Sequence, residues 1–248
     1  MNWVDQSKRS DYEAPTSRGK AAFFDVDGTL TSEHTWKGMI DYFRQKGTRQ
    51  RTHRAYLGLH YPLWLLRRAG LISEGTFRAP WAAHLAWYIR GYSVSQTQEI
   101  WDCIIDEFFS RVWRQDMLAI LNDHLAAGDR VMLVSSGPAS LIERIAEKLG
   151  AQHAIGTRFR IQNGRYTGSY LKPVCIDRYK ASLAWQYFQE QGVKIDLASS
   201  TTYADSIADL PLLEMVGNPI AVYPDEQLSA VARQRGWKII PSEGGYHV

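Results

Sequence analysis

The sequence predicts an α/β fold in which a mostly parallel, doubly wound sheet is interrupted after its first strand by an all-helical segment. Two observations support this prediction. Short apolar runs that end in turn residues alternate with segments of helical periodicity, which is typical of a parallel sheet covered by helices. Between residues 33 and 115, by contrast, the pattern is helical without interruption. We expect residues 21–32 and 116–248 to form the α/β core, and 33–115 to form an insertion.

The first strand is expected at Ala21–Asp25, after an N-terminal stretch that we interpret as a mobile tail. Residues 1–20 combine Ser, Lys, Arg, Asp and Pro without periodicity, which is typical of a poorly ordered terminus. The strand leads into two carboxylates, Asp25 and Asp27, and then into Gly28. Ligands of open α/β sheets bind at the carboxyl ends of strands, so both carboxylates are candidates for a site. An Asp-Gly hairpin turn is the alternative interpretation of these residues.

The inserted segment is expected to consist of amphipathic helices. Near its end, six apolar residues follow the spacing of one helix face. They are Trp101, Ile104, Ile105, Phe108, Phe109 and Val112. The next helix is expected at Asp116–Ala127, where Gly128 ends it.

A second buried strand is expected at Val131–Val134, a continuous apolar run of the kind found in strands covered on both faces. It leads into Ser135 and Ser136, and Pro138 is placed to be the first residue of a helix that ends at Gly150. The carboxyl end of this strand is therefore a second candidate contributor to a site.

The last part of the chain continues the alternation of strands and helices. A hairpin is expected between residues 159 and 171, because Asn163-Gly164 is a strong two-residue turn signal. Asp177 is expected to cap a helix that carries Lys180 on its first turn. The remaining expected elements are a strand that ends near Tyr203, before Asp205 and Asp209, two strands at Ile220–Tyr223 and Trp237–Ile240, and a helix at Asp225–Arg235.

The composition is that of a folded protein, and its charge is unevenly distributed. Hydrophobic residues make up 45% of the 248 residues, and no run approaches the roughly 18 apolar residues of a membrane span. Residues 37–90 hold ten Lys or Arg against two acidic residues, a charge of +8, so the total of +3 leaves −5 for the remainder. This asymmetry indicates an anionic partner or substrate. The two cysteines lack metal-type spacing and no signal peptide is evident, which predicts a cytoplasmic protein.

Four motifs, each at an expected strand or helix end, define a chemistry. They are Asp25-x-Asp27-Gly28-Thr29, Ser135, Lys180 and Asp205-x-x-x-Asp209. Carboxylates suit Mg²⁺, and an aspartate beside this metal can act as a nucleophile that forms an aspartyl-phosphate. From residue 21 to about 241, the chain resembles the haloacid dehalogenase superfamily of phosphatases, in the branch that contains phosphoserine phosphatase. The resemblance implies a Rossmann-like core with a helical cap, a Mg²⁺ cofactor and phosphomonoester hydrolysis.

The resemblance also implies a role for each carboxylate. Asp25 would attack phosphorus, and Asp27 would protonate the leaving oxygen and then accept a proton from water. The metal would be held by the side chains of Asp25 and Asp205 and by the backbone carbonyl of Asp27. Asp209 would support the metal shell or hold Lys180, which would offset the charge of the phosphate.

The serines and the turn complete the implied site. Ser135 would hydrogen-bond a phosphoryl oxygen, with Ser136 as the alternative, and Gly28 and Thr29 would support the first motif. Taken singly, the serines are explained as helix caps and Lys180 as a surface residue. Their joint occurrence in this order is what indicates a phosphoryl-transfer site.

The helical segment would act as a lid that selects the leaving group. Phosphoserine phosphatases bind the substrate's amino group with a glutamate shortly after the first motif. Here Glu33 lies one position early and His34 takes the aligned place, while Gly28 stands where those enzymes commonly have serine. These departures argue against phosphoserine as the substrate without excluding it.

Aromatic residues alternate with arginines and histidines in this segment, and several interpretations stay open. The aromatic residues are Trp36, Tyr56, Tyr61, Trp64, Trp81, Trp87 and Tyr88, and the histidines are His53, His60 and His84. They could form a pocket for a larger phosphate ester, a surface for anionic lipid, or, less favoured, a nucleic-acid contact. The structural alternative is a core of Trp and Tyr with arginines on its outside.

We therefore expect a Mg²⁺-dependent phosphatase that acts on a small phosphorylated metabolite. Three alternatives remain: hydrolysis of a lipid phosphate at a membrane surface, transfer of the phosphoryl group to an acceptor hydroxyl, and a binding module that uses the basic cap. The same features predict a cytoplasmic location, with peripheral membrane contact if the cap binds lipid.

Overall fold

The protein is described by a computed structural model that covers residues 19–241 and confirms the α/β fold class. The strands are β1 (Ala21–Asp25), β2 (Arg130–Pro138), β3 (His153–Thr157), β4 (Phe159–Gln162), β5 (Arg165–Tyr170), β6 (Thr201–Ala204), β7 (Asn218–Val222) and β8 (Lys238–Ile240). Six of them form one parallel sheet in the order β3-β2-β1-β6-β7-β8, and β4 pairs with β5 as an antiparallel hairpin. The first strand thus lies at the centre, between β2 and β6.

Nine helices and three short 3-10 turns surround the sheet in the described chain. The helices are α1 (Thr35–Gln45), α2 (Gln50–Arg68), α3 (Glu74–His84), α4 (Val94–Glu107), α5 (Gln115–Ala126), α6 (Ala139–Leu149), α7 (Arg178–Glu190), α8 (Leu210–Leu213) and α9 (Glu226–Arg235), and the 3-10 turns are Leu85–Ile89, Phe109–Arg111 and Ile207–Asp209. Helices α1 to α4 lie between β1 and β2 and form the helical cap, as the sequence predicts. None of the helices in residues 19–241 is long and apolar enough to cross a membrane.

Burial on both faces explains the unbroken apolar sequence of β1. Phe23 and Phe24 point to opposite faces because successive side chains of a strand alternate. On one face, Phe23 meets Phe188 of α7 edge-on with a centroid distance of 5.9 Å. On the other, Phe24 stacks on Tyr203 of β6 at 4.5 Å. The strand that carries the first motif is therefore fixed within the packed core.

The cap is joined to the core by hydrogen bonds as well as by packing. The indole N–H of Trp101, in α4, donates to Ser140 Oγ at the start of α6, over 3.0 Å. The backbone N–H of Gly91 donates to the carbonyl of Tyr166 in the hairpin, over 2.7 Å. Tyr56 and Tyr88 are fully buried within the cap, so aromatic residues do form much of its core.

Two local turn predictions are confirmed. Asn163 and Gly164 both have positive φ, of 50° and 71°, as a two-residue hairpin turn of type I′ requires. Gly150 ends α6 in the left-handed conformation with φ of 74°.

Three other local predictions need correction. The apolar stripe is not one helix, because α4 ends at Glu107 and a 3-10 turn carries the pattern on. Pro138 takes the N-cap position, so α6 begins one residue later than expected. Asp177 precedes α7 with φ of 46°, and its side chain makes no capping hydrogen bond. Its carboxylate faces Arg78 of α3 at 3.6 Å, which joins cap and core.

The expected tail lies outside the described residues as far as residue 18, and so does the end of the chain from residue 242. Gly19 belongs to the core, since its backbone N–H donates to the carbonyl of Lys194 over 3.1 Å.

Candidate active site

The predicted site residues come together because three neighbouring parallel strands end at the same edge of the sheet. Asp25 is the last residue of β1 and pairs in register with Val134 of β2, so Ser135 follows one residue further on. On the other side of β1, Asp205 follows the last residue of β6 directly. The structure therefore brings these three residues to one edge of the sheet, although Ser135 lies within β2, which continues to Pro138 rather than ending at Val134 as expected.

A buried lysine links two of the carboxylates. Lys180 lies in the first turn of α7, and its Nζ is 2.6 Å from Asp25 Oδ1 and 2.6 Å from Asp209 Oδ1. All three side chains are at most 3% exposed. Burial alone would lower the pKa of Lys180, but the charges of Asp209 and Asp25 outweigh it and raise the pKa. The ammonium group therefore stays charged.

A third carboxyl group, that of Asp205, lies close to those of Asp25 and Asp209. Asp25, Asp205 and Asp209 each offer an oxygen atom, and these atoms lie within 4.8 Å of one another. Burial raises the pKa of Asp205 to about 8, and the charges of Asp25 and Asp209 add to the effect. Burial also raises the pKa values of Asp25 and Asp209, although Lys180 opposes it. Such a set of closely spaced, buried carboxyl oxygens fits a hard divalent cation such as Mg²⁺.

Residue 28 has to be glycine because of its backbone conformation and its closeness to Asp205. Its φ is +95°, and a Cβ atom at this position would lie 2.1 Å from Asp205 Oδ2. The next residue, Thr29, is fully buried and its hydroxyl donates to Asp205 Oδ1 over 3.4 Å. The turn of the first motif thus packs against the carboxylate that follows β6.

Asp27 is oriented by the start of the cap. Its Oδ1 accepts the backbone N–H of Thr35 over 2.5 Å, and its Oδ2 accepts the Thr35 hydroxyl over 3.2 Å. The hydroxyl of Ser135 donates to the same Oδ2 over 3.0 Å and accepts the N–H of Gly137 over 2.9 Å. Thr35 is a site residue that was not predicted from the sequence. The signal that could have identified it is a threonine at the start of the helix that follows the first motif.

The two candidate serines differ in what they face. Ser135 is fully buried and engaged with Asp27, whereas Ser136 lines the cavity above the carboxylates. That Ser135 binds phosphate, with Ser136 as the alternative, stays a prediction.

A cavity of about 530 Å³ opens over this site between core and cap. The core contributes the four aspartates, Ser136 and Lys180. The cap contributes an aromatic wall, made up of Trp36, Trp64, Phe77 and Trp81. Trp36 and Trp81 meet edge-on at 5.2 Å. Trp64, Phe77 and Trp81 lie on α2 and α3. The helical spacing of the sequence did not indicate that these three residues would face the site.

Polar cap residues complete the cavity wall. His34 lines it, as the sequence suggested, but Glu33 does not and pairs instead with Lys37 one turn along α1. Arg67 Nη1 donates to both carboxylate oxygens of Glu74, over 2.7 and 2.6 Å, so two further lining residues neutralise each other.

Comparisons with known proteins show which family the sequence belongs to. The family model for haloacid dehalogenase-like hydrolases matches residues 22–214. The phosphoserine phosphatase SerB1 of Mycobacterium tuberculosis is 31% identical over 237 residues, which is 93% of this chain and 73% of that protein. A histidinol-phosphatase of Neisseria meningitidis is 28% identical over 230 residues, 88% of this chain and 97% of that protein.

A solved structure shares the whole architecture. A protein of unknown function from Bordetella pertussis superposes with a TM-score of 0.78 at 25% identity, over 90% of this chain and 99% of that one. Since the family model covers more than half of the sequence, the chain belongs to the haloacid dehalogenase-like hydrolases.

Proposed function

We propose that this protein is a Mg²⁺-dependent phosphomonoesterase that works through a phosphorylated Asp25. The observation that carries the proposal is the buried cluster in which Lys180 bridges Asp25 and Asp209 while a third carboxyl group, that of Asp205, lies beside them. Relatives named phosphoserine phosphatase and histidinol-phosphatase support it.

In the proposed reaction, Asp25 attacks the phosphorus atom and the ester oxygen leaves with a proton from Asp27. Asp27 then accepts a proton from the water that attacks phosphorus, which frees Asp25 and releases inorganic phosphate. The contacts of Asp27 with Thr35 and Ser135 hold its carboxyl group in the cavity for both steps.

Mg²⁺ would be held by Asp25, Asp205 and the backbone carbonyl of Asp27, and when bound it supplies positive charge that stabilises the transferring phosphoryl group. Asp209 holds Lys180 against Asp25, and the ammonium group offsets the charge on the nucleophile and on phosphate. One of the two serines, Ser135 or Ser136, would hydrogen-bond a phosphoryl oxygen.

Residues 33–115 would select the substrate, which we propose is a small phosphate ester. The aromatic wall favours an ester whose organic group is flat or apolar, because such a group gains by packing against Trp and Phe. Glu33 faces Lys37 rather than the cavity, so it offers no carboxylate to the amino group of phosphoserine.

Two alternative functions would use the same cavity. A phosphotransferase or mutase shares the first step and differs only in the acceptor of the phosphoryl group. A binding module has no need for five charged residues in one buried arrangement. A cytoplasmic location agrees with a metabolite substrate and stays a prediction from the sequence.

Release of inorganic phosphate from a panel of esters tests the proposal. The panel would contain phosphoserine, histidinol phosphate, sugar phosphates, nucleotides, phosphocholine and lysophosphatidic acid, each with Mg²⁺ and with chelator. We expect chelator-sensitive hydrolysis that Asp25→Asn abolishes, while a matched exposed variant, Asp106→Asn, keeps full activity. Silence across the panel with folded protein would favour phosphotransfer or binding, and normal turnover by Asp25→Asn would remove the nucleophile.

A further inference from the structure

The outer face of α2 has an unusual composition. Every exposed residue of this helix from position 51 to 68 is either apolar, glycine or arginine. The exposed apolar residues and glycine are Ala55, Leu57, Gly58, Leu59, Tyr61, Pro62, Leu65 and Leu66, and the exposed arginines are Arg51, Arg54 and Arg68. A solvated helix face is normally rich in uncharged polar residues and in both signs of charge, so this face is built for contact with something other than water.

Helical spacing makes this face one continuous surface. Successive steps of three or four residues align six side chains along the helix, namely Arg51, Arg54, Leu57, Tyr61, Leu65 and Arg68. The opposite side of the helix is anchored, because Tyr56 and His60 are fully buried in the cap. The apolar groups are well exposed, with Tyr61 at 58% and Leu71, just beyond the helix, at 71%.

The charge around this face is predominantly positive, although Arg44 pairs with Asp41 and Arg67 with Glu74. Between Asp41 and Glu74 the sequence contains no acidic residue and seven basic ones, which are Arg44, Lys46, Arg49, Arg51, Arg54, Arg67 and Arg68. A second copy of the chain on the same face would bring these cations against each other, which disfavours self-association. An anionic bilayer offers both an apolar layer for the leucines and negative headgroups for the arginines.

We propose that the outer face of α2, together with Leu71, binds the surface of anionic membranes with the helix axis in the plane of the bilayer. The arrangement fits a helix that lies on a membrane, since its exposed face combines apolar side chains with arginines. Trp64 and Arg67 of the same helix line the cavity. Binding through α2 therefore brings the cavity close to the bilayer surface, where phosphate esters carried by lipids are accessible.

Flotation of the full chain with lipid vesicles tests this inference independently of any enzymatic activity. Vesicles of phosphatidylcholine alone are compared with vesicles that contain one part phosphatidylglycerol to two parts phosphatidylcholine, at low and at high salt. We expect binding to the anionic vesicles only, and weaker binding at high salt because salt screens the arginines.

Two double variants separate the charge from the apolar contact. Arg51→Glu with Arg54→Glu should weaken binding at least about tenfold, because two attractive positive charges are replaced by two repulsive negative ones. Both positions are exposed, and Arg51 lies in the first turn, where an acidic residue favours the helix, so the loss would not come from unfolding. Leu57→Gln with Leu65→Gln should remove the part of the vesicle binding that remains at high salt, because that part depends on apolar contact.

Matched variants elsewhere on the surface serve as controls. Lys194→Glu with Lys238→Glu makes the same charge change at exposed sites outside the cap, and Val94→Gln with Ile161→Gln removes two equally exposed apolar groups. Both should bind vesicles as the wild type does.

The inference is overturned if the protein ignores anionic vesicles at low salt, if neutral vesicles bind equally well, or if the controls lose as much binding. It is also overturned if light scattering shows a dimer that Leu57→Gln with Leu65→Gln converts to a monomer, because the face would then bind a second copy.

Discussion

Replacing Lys180 by Met is the sharpest test of the buried charge cluster. The change keeps most of the side-chain volume and removes the only ammonium group within residues 19–241 that contacts Asp25 and Asp209, each at 2.6 Å. With all groups ionised, the charge of the three carboxylates and the lysine changes from −2 to −3. Removing one partner of a buried ion pair costs about 3–5 kcal/mol, because the other partner stays buried and uncompensated.

This cost is a large share of the roughly 5–15 kcal/mol by which folded domains are stable. We expect Lys180→Met to remain folded and to unfold at a clearly lower urea concentration. Mg²⁺ should recover part of the loss, because a cation that binds only the folded carboxylates stabilises the folded state.

Urea unfolding followed by circular dichroism, with and without Mg²⁺, measures both effects. Lys148→Met is the matched control, since Lys148 pairs with Asp106 on the surface, where an ion pair contributes less than about 1 kcal/mol. If Lys180→Met loses no more stability than this control, the lysine is not the buried bridge between the carboxylates.

The remaining predictions concern the turn and the cap. Gly28→Ala should greatly reduce Mg²⁺-dependent turnover and Mg²⁺ affinity, because its Cβ would lie 2.1 Å from Asp205 Oδ2; calorimetry with Mg²⁺ measures this, and unchanged affinity would contradict it. His60 is fully buried, and burial followed by the charge of His84 lowers its pKa to about 4 from 6.5. The unfolded chain therefore binds a proton more readily, so stability that is complete above pH 6.5 should fall by about 3 kcal/mol towards pH 4. Urea unfolding across this range should show a flatter dependence in His60→Phe, and an unchanged slope would refute the assignment.

The sequence predicts the core of the site well because each of its residues is tied to a local signal. Asp25 and Asp205 each follow a buried strand, and Lys180 follows a helix start. Parallel strands bring such positions together whatever the details of packing. The location of the catalytic candidates thus needs only the order of strands and helices.

The cap is less predictable because its helices pack by tertiary contacts. Trp64 and Phe77 face the cavity and Tyr61 faces solvent, but no feature of the neighbouring sequence indicates this difference. Asp177 has the residue type of a helix cap, but its contact with Arg78 of α3 competes with that role. The direction of a side chain on a short inserted helix depends on its neighbours, which the periodicity of one sequence does not specify.

Trapping the phosphorylated enzyme tests the central claim most directly. Asp27→Asn removes the group that would protonate the leaving oxygen and activate water, so the phosphoryl group should remain on the protein after reaction with an activated ester such as p-nitrophenyl phosphate, whose leaving group needs no proton. We predict a phosphopeptide that contains residues 21–32, with the phosphoryl group on Asp25 and released by hydroxylamine, as an acyl phosphate requires. Phosphate on another residue, or continued turnover without any phosphorylated peptide, would contradict the account.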